Sequence, residues 1–261
     1  MKLDNSVAAI VTGGASGLGE ATARLLANSG VKVAIFDLNE AHGRELAEDI
    51  DGLFCAANVT DDASVHAALH KARTAHGVER ILVNCAGIAP GRRTVSKKRD
   101  TGEFVAHDMG TFKAAIEVNL IGTYRMIAAS AAAMAQLAPV TADGGRGVIV
   151  NTASIAATDG QIGQAAYAAS KGGVVGLTLP VARDLAGYGI RVMTIMPGLF
   201  HTPMFDGLPD EARAALENTV PFPARLGRPQ EYAKLVRAIV ENDMLNGEAI
   251  RLDGALRMAP K

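Results

Sequence analysis

The 261-residue chain has only two cysteines, Cys55 and Cys85. Each sits inside an apolar run, so they read as small buried hydrophobes in a reducing compartment and not as a disulfide framework. An excess of one charge is also missing: 26 Lys and Arg against 27 Asp and Glu leave a net charge of −1. Such a balance argues against a surface built to neutralise nucleic-acid phosphates or anionic lipid. No apolar run approaches a membrane-spanning length. The first residues, Met1 to Ser6, run almost straight into an apolar strand and leave no room for a signal or transit peptide. The expectation is a soluble protein of a bacterial cytoplasm, with a mitochondrial matrix as the alternative.

What the chain does have is alternation. Short apolar runs at Val7–Thr12, Val31–Phe36, Leu53–Ala57, Ile81–Asn84, Val148–Thr152, Arg191–Met196 and Glu248–Leu252 are separated by helix-length stretches. Among these are Gly17–Asn28, Asp62–His76, Phe112–Gln136 and Gly163–Ala186. This is the signature of βα units wound around a parallel sheet covered on both faces. The predicted fold is a three-layer α/β/α, doubly wound Rossmann-type sheet of about seven strands, as one domain over residues 1–261. Two stretches break the rhythm: a polar, basic insertion at about 89–111, and a proline-rich segment at about 198–230. Both follow strands, so both are expected at the carboxyl edge of the sheet, where open α/β folds bind ligands.

The glycines of Thr12-Gly13-Gly14-Ala15-Ser16-Gly17-Leu18-Gly19 lie between the first strand and the first helix. There they permit a tight turn, close approach of a pyrophosphate and an anion on the helix N-terminus. Asp37 ends the second strand, eighteen residues after Gly19. A carboxylate there accepts from ribose hydroxyls and repels a 2′-phosphate, and no cation lies at residues 14–16, so NAD is favoured over NADP. Farther along, Tyr167 and Lys171 are four residues apart on one predicted helix face, with Ser154 just after the fifth strand. A phenol near pKa 10 is a poor base until an ammonium beside it favours the phenolate. Ser154 would hold a substrate oxygen while Tyr167 exchanges its proton.

These motifs, with Asn84-Cys85-Ala86-Gly87, Asn119 and Pro197-Gly198-Leu199-Phe200-His201-Thr202, resemble the short-chain dehydrogenase/reductase family from end to end. The resemblance implies that Tyr167 is the general acid/base and that Ser154 orients the carbonyl or carbinol. It also implies that Lys171 binds the nicotinamide ribose while lowering the Tyr167 pKa, and that Asn119 holds a water in a proton relay. Gly13, Ser16, Gly17, Leu18, Gly19, Asp37, Cys85, Ala86, Gly87, Pro197, Gly198, Leu199, Phe200 and Thr202 are then expected around NAD. Asn84 would stabilise the sheet beside it. Asn58-Val59 stands where the family has Asp-Val beside the adenine; the Asn58 amide oxygen is expected to accept from the exocyclic amine. Longer segments, including Gly160 to Tyr167 and Asn246 to Gly254, resemble the branch that oxidises (S)-3-hydroxyacyl-CoA. That branch implies a homotetramer, with Gln161 and Gln164 near substrate and Gln161 the better contact.

Three further signals carry less. Arg92, Arg93, Lys97, Lys98 and Arg99 crowd the insertion, where they would steer coenzyme A phosphates or simply form a solvated loop. His66 and His70 have metal-ligand spacing but no third partner in the sequence, and no metal is expected. His201 lies in the segment over the nicotinamide. The alternatives to acyl-CoA oxidation are another NAD-dependent hydroxysteroid or secondary-alcohol dehydrogenase, and a non-catalytic scaffold subunit. No nucleic-acid or membrane partner is expected.

Overall fold

A computed structural model describes residues 1–202, 211 and 216–260. Seven parallel strands form the central sheet in the order β3-β2-β1-β4-β7-β8-β9. They are β1 (Ala8–Thr12), β2 (Lys32–Asp37), β3 (Leu53–Ala56), β4 (Ile81–Asn84), β7 (Gly147–Thr152), β8 (Ile190–Pro197) and β9 (Ala249–Leu252). The seven expected runs are thus the seven strands, shifted by a residue or two at their ends. The order reverses between β1 and β4, and this is the switch point beside which such sheets bind ligands.

The sheet is covered on both faces because its strands are apolar on both. Val11, Ile35, Val83 and Val150 face α1 (Gly17–Asn28), α2 (Glu40–Asp49) and α7 (Pro229–Glu241). The alternate residues Ile10, Leu82 and Ile149 face α3 (Asp62–His76), α5 (Thr123–Met134) and α6 (Ala165–Ala186). Each fully buried aliphatic side chain of this kind contributes about 1.5–3 kcal/mol. A smaller third cluster joins Ala153 and Ile155 to Met196, Val220 and Leu256. It lies at the strand ends, around Ser154.

Two expectations need correction. The basic insertion is not irregular throughout: β5 (Val95–Lys97) and β6 (Phe104–Ala106) pair as an antiparallel hairpin. Strand-favouring Val95, Phe104 and Val105 flank a turn closed by the Gly102 amide on the Lys98 carbonyl (3.1 Å). The expected helix over 112–136 starts earlier and changes pitch, from α4 (Met109–Ile116) through a π-helical turn (Glu117–Gly122) into α5. Such turns recur at functional sites, and Asn119 lies in this one. In the proline-rich segment, residues 203–210 and 212–215 lie outside the described residues. No helix among the described residues is long and apolar enough to cross a membrane.

Candidate active site

β1 delivers its chain into the loop that begins α1. A Cβ on Gly13 (φ +61°) would lie 2.6 Å from the Ala86 amide nitrogen, and one on Gly19 would lie 2.1 Å from the Gly13 carbonyl oxygen. Only glycine lets the loop fold so tightly against both the end of β4 and the start of the helix. Ser16, at the N-cap of α1, makes no side-chain capping bond, so no capping side chain competes with an anion for the first-turn amides of the helix. From the end of β2, Asp37 accepts from the Ala15 amide (3.0 Å) and the Asn39 amide (2.9 Å). The half-buried carboxylate therefore fixes the loop, and each of its oxygens keeps a further lone pair.

Register brings the strand ends level: Thr12 pairs with Asn84 and Asn84 with Asn151. Asn84 Nδ2 donates to Asn151 Oδ1 across the buried sheet (2.9 Å). Thr12 Oγ1 accepts from the Ala86 amide (3.2 Å), tying the Cys85–Gly87 turn to β1. The Cys85 thiol is half-buried among Thr152 and Tyr232, and burial pushes its pKa up.

Lys171 and Tyr167 rise from one face of α6, as their spacing requires. The Lys171 ammonium is buried and donates to the Thr152 carbonyl (2.7 Å). Two N–H donors remain for other acceptors, the equipment needed to hold a pair of ribose hydroxyls. Burial lowers its pKa to about 8, with the nearby Cys85 opposing that shift. The Tyr167 ring centroid lies 5.9 Å from Lys171 Nζ. Burial raises the Tyr167 pKa, and a hydrogen bond with the Ser154 side chain works against the rise. Burial is the dominant cause, and Lys171 is not among the groups that move the Tyr167 pKa in the free protein, so the lowering expected from it is not seen there. Ser154 Oγ accepts from the Ala156 amide (3.1 Å), which starts the 3-10 turn after β7 and fixes the hydroxyl near Tyr167.

Asn119 is wholly buried. Its Nδ2 donates to the Ile88 carbonyl (2.8 Å) and Ser170 Oγ (2.9 Å), and its Oδ1 accepts from the Ile88 amide (2.8 Å). Ser170 in turn donates to the Tyr167 carbonyl (2.8 Å). A Cβ on Gly87 would meet Asn119 Oδ1 at 3.1 Å and Lys171 Nζ at 3.4 Å, so these two groups flank one point. Loop, carboxylate, serine, tyrosine, lysine and asparagine lie along the carboxyl edge of β2, β1, β4 and β7.

A family model for short chain dehydrogenases matches residues 7–213. The chain belongs to the short-chain dehydrogenase family. It is an oxidoreductase, and its substrate is a small molecule. It is 53% identical over 255 residues to a Bos taurus protein called 3-hydroxyacyl-CoA dehydrogenase type-2, with 97% of this chain and 95% of the relative covered. A Drosophila melanogaster protein of the same name is 51% identical, with 96% and 97% covered. The crystal structure of 3-hydroxyacyl-CoA dehydrogenase type-2 from Mycobacterium avium superposes with a TM-score of 0.91 at 43% identity, covering 100% of both chains.

Other expected residues of this short-chain dehydrogenase fall less simply. Asn58 Oδ1 already accepts from the Thr60 amide (3.0 Å) and hydroxyl (2.8 Å), so the acceptor expected for the adenine amine is committed to a local turn. Val59 is buried against Gly122 of the π turn. Gly198 donates to the Leu252 carbonyl (2.9 Å), Leu199 accepts from the Gly227 amide (2.8 Å), and Phe200 is buried against Gly227. His201 is exposed and Thr202 half-buried. His66 and His70 are both exposed on α3, with no third ligand beside them among the described residues. Gln161 and Gln164 line a cavity of about 720 Å³ with Arg93, Thr94 and Val95 opposite. Their amides are bonded to each other, and Gln161 Nε2 also donates to the Ala259 carbonyl (3.0 Å).

Sequence reasoning missed Tyr232, the largest wholly buried side chain among the described residues, whose hydroxyl lies 2.7 Å from Thr152 Oγ1 beneath the Lys171 contact. Only the apolar stripe of α7 announced it. The Arg251–Asp159 pair was missed as well.

Proposed function

We propose that this short-chain dehydrogenase oxidises (S)-3-hydroxyacyl-CoA to 3-ketoacyl-CoA, reversibly, with NAD. The observation that carries the reading is the near full-length similarity to enzymes of that name, together with an intact Ser154–Tyr167–Lys171–Asn119 set. The nicotinamide supplies the hydride acceptor and donor. Tyr167 takes the proton of the 3-hydroxyl as the carbonyl forms, and returns it in the reverse direction. Ser154 holds the same oxygen. Lys171 uses its free N–H donors on the nicotinamide ribose, while Asn119, pinned by Ile88 and Ser170, orders a water that carries the proton outward.

The loop from Gly13 to Gly19 and the uncapped α1 N-terminus cradle the pyrophosphate, and Asp37 selects NAD. Replacing Asp37 by alanine removes both the ribose acceptor and the charge that repels a 2′-phosphate. The expected result is a fall of about ten- to a hundredfold in kcat/KM for NADH and a gain for NADPH. An unchanged ratio of the two would remove Asp37 from that role.

The cavity between Arg93–Val95 and Gly160–Gln164 suits the pantetheine arm and phosphates of coenzyme A. The protein should therefore reduce acetoacetyl-CoA with NADH much faster than free acetoacetate; equal rates would dismiss the thioester. The reading also implies a homotetramer, for which the apolar surface of α5 and α6, with Tyr124 and Leu179 exposed, offers a face to a second copy.

A further inference from the structure

The loop that forms one wall of the substrate cavity does not hold itself. Its residues Thr158 to Ile162 are gripped by the far end of the chain. Arg251, on β9, places Nη1 on Thr158 Oγ1 (2.8 Å) and Asp159 Oδ1 (3.1 Å), and Nη2 on Asp159 Oδ2 (2.6 Å) and the Leu256 carbonyl (2.9 Å). Its Nε donates to Asp253 Oδ2 (2.8 Å). All the N–H donors of one guanidinium are thereby spent on two segments, the loop at Thr158–Asp159 and the turn from Asp253 to Leu256. The carboxylates are nearly dry, with Asp159 13% and Asp253 7% exposed. A paired fork of this kind fixes direction as well as distance, which a lysine does not.

Beyond Arg251 the chain reverses at Gly254 and returns along the same loop. The Ile162 amide donates to the Pro260 carbonyl (3.0 Å), and Gln161 Nε2 to the Ala259 carbonyl. Leu256 and Met258 pack beside Ala153 and Ile155, the residues on either side of Ser154. The loop therefore rests on the carboxyl-terminal segment at several points between Ile155 and Ile162. None of these contacts reaches the glycine-rich loop or Asp37.

We propose that Arg251 is a positioning residue for substrate: through Asp159 and the returning carboxyl-terminal segment it sets the wall against which the acyl-CoA thioester lies. The identity of that substrate rests on the function proposed above; the coupling of tail to loop does not. Arg251 itself bonds to none of Ser154, Tyr167, Lys171 or the glycine-rich loop, so its loss is expected to act on substrate fit.

The test pairs kinetics with hydrogen exchange on Arg251→Gln, Arg251→Lys and a chain ending at Leu256, which removes the tail carbonyls and keeps Arg251. Loss of the bidentate fork should raise KM for acetoacetyl-CoA about tenfold while kcat and the KM for NADH stay within about twofold. The lysine variant should recover little, because it restores charge without the fork. Amides of residues 158–164 should exchange faster in all three proteins, while those of β1 and α1 keep their protection. A rise in the NADH KM, a fall in kcat at constant thioester KM, or unchanged exchange over 158–164 would each overturn the proposal. Should the wild type turn over only alcohols that are not thioesters, the proposed function fails. The exchange pattern and the KM of that other substrate then decide the role of Arg251.

Discussion

Replacing Tyr167 by phenylalanine is expected to lower kcat roughly a thousandfold while NADH still binds, since general acid–base groups contribute about 10²–10⁴. The ring keeps its place on α6, and the loop, Asp37 and Lys171 are untouched. Only the hydroxyl beside Ser154 is gone. The wild type should show the sign of its own chemistry. Burial holds Tyr167 above its ordinary value, so the phenol serves ketone reduction at neutral pH. Alcohol oxidation, which needs the phenolate, should climb with pH. Steady-state rates in both directions, with NADH binding followed by fluorescence, check this. A Tyr167→Phe protein that keeps its turnover would place the acid/base elsewhere.

Replacing Gly19 by alanine should be nearly as damaging, through binding instead of chemistry. The new methyl would sit 2.1 Å from the Gly13 carbonyl oxygen and 2.9 Å from Gly14 Cα. Both neighbours are backbone, so no side chain can swing aside. Forcing them apart costs about 1–3 kcal/mol, up to roughly a hundredfold in NADH affinity. It should also lower Tm by several degrees, because the loop is hydrogen-bonded to Asp37 of β2. NADH titration and a thermal melt measure the two effects; an unaltered Kd would mean that the loop does not cradle the pyrophosphate.

The parts of this molecule legible in the sequence are those whose chemistry is local. Seven strands announced themselves as short apolar runs because both faces of the sheet are buried. Gly13 to Gly19, and the four-residue spacing of Tyr167 and Lys171, carry their geometry within one turn of chain. Asn119 is expected from its motif, yet the π turn that holds it leaves no periodic mark, since one extra residue in a helix looks like helix. The 95–106 hairpin was hidden by its Lys and Arg content, with solvent on both faces in place of the usual apolar alternation. Asn58 carries a second bond that its residue type did not announce: its side-chain oxygen also accepts from the amide and hydroxyl of Thr60, two positions on. Tyr232 and Arg251 act across long sequence separations, on Thr152 and Asp159, and nothing near them in the chain names those partners.

The central claim is that Tyr167 moves a proton on an acyl-CoA thioester while NADH carries the hydride. Its most direct test is NADH consumption with acetoacetyl-CoA, measured side by side for the wild type and Tyr167→Phe, with free acetoacetate as the control. The account predicts rapid turnover by the wild type on the thioester, little on the free acid, and almost none by the variant. Equal rates on thioester and free acid, or an active Tyr167→Phe protein, would contradict it.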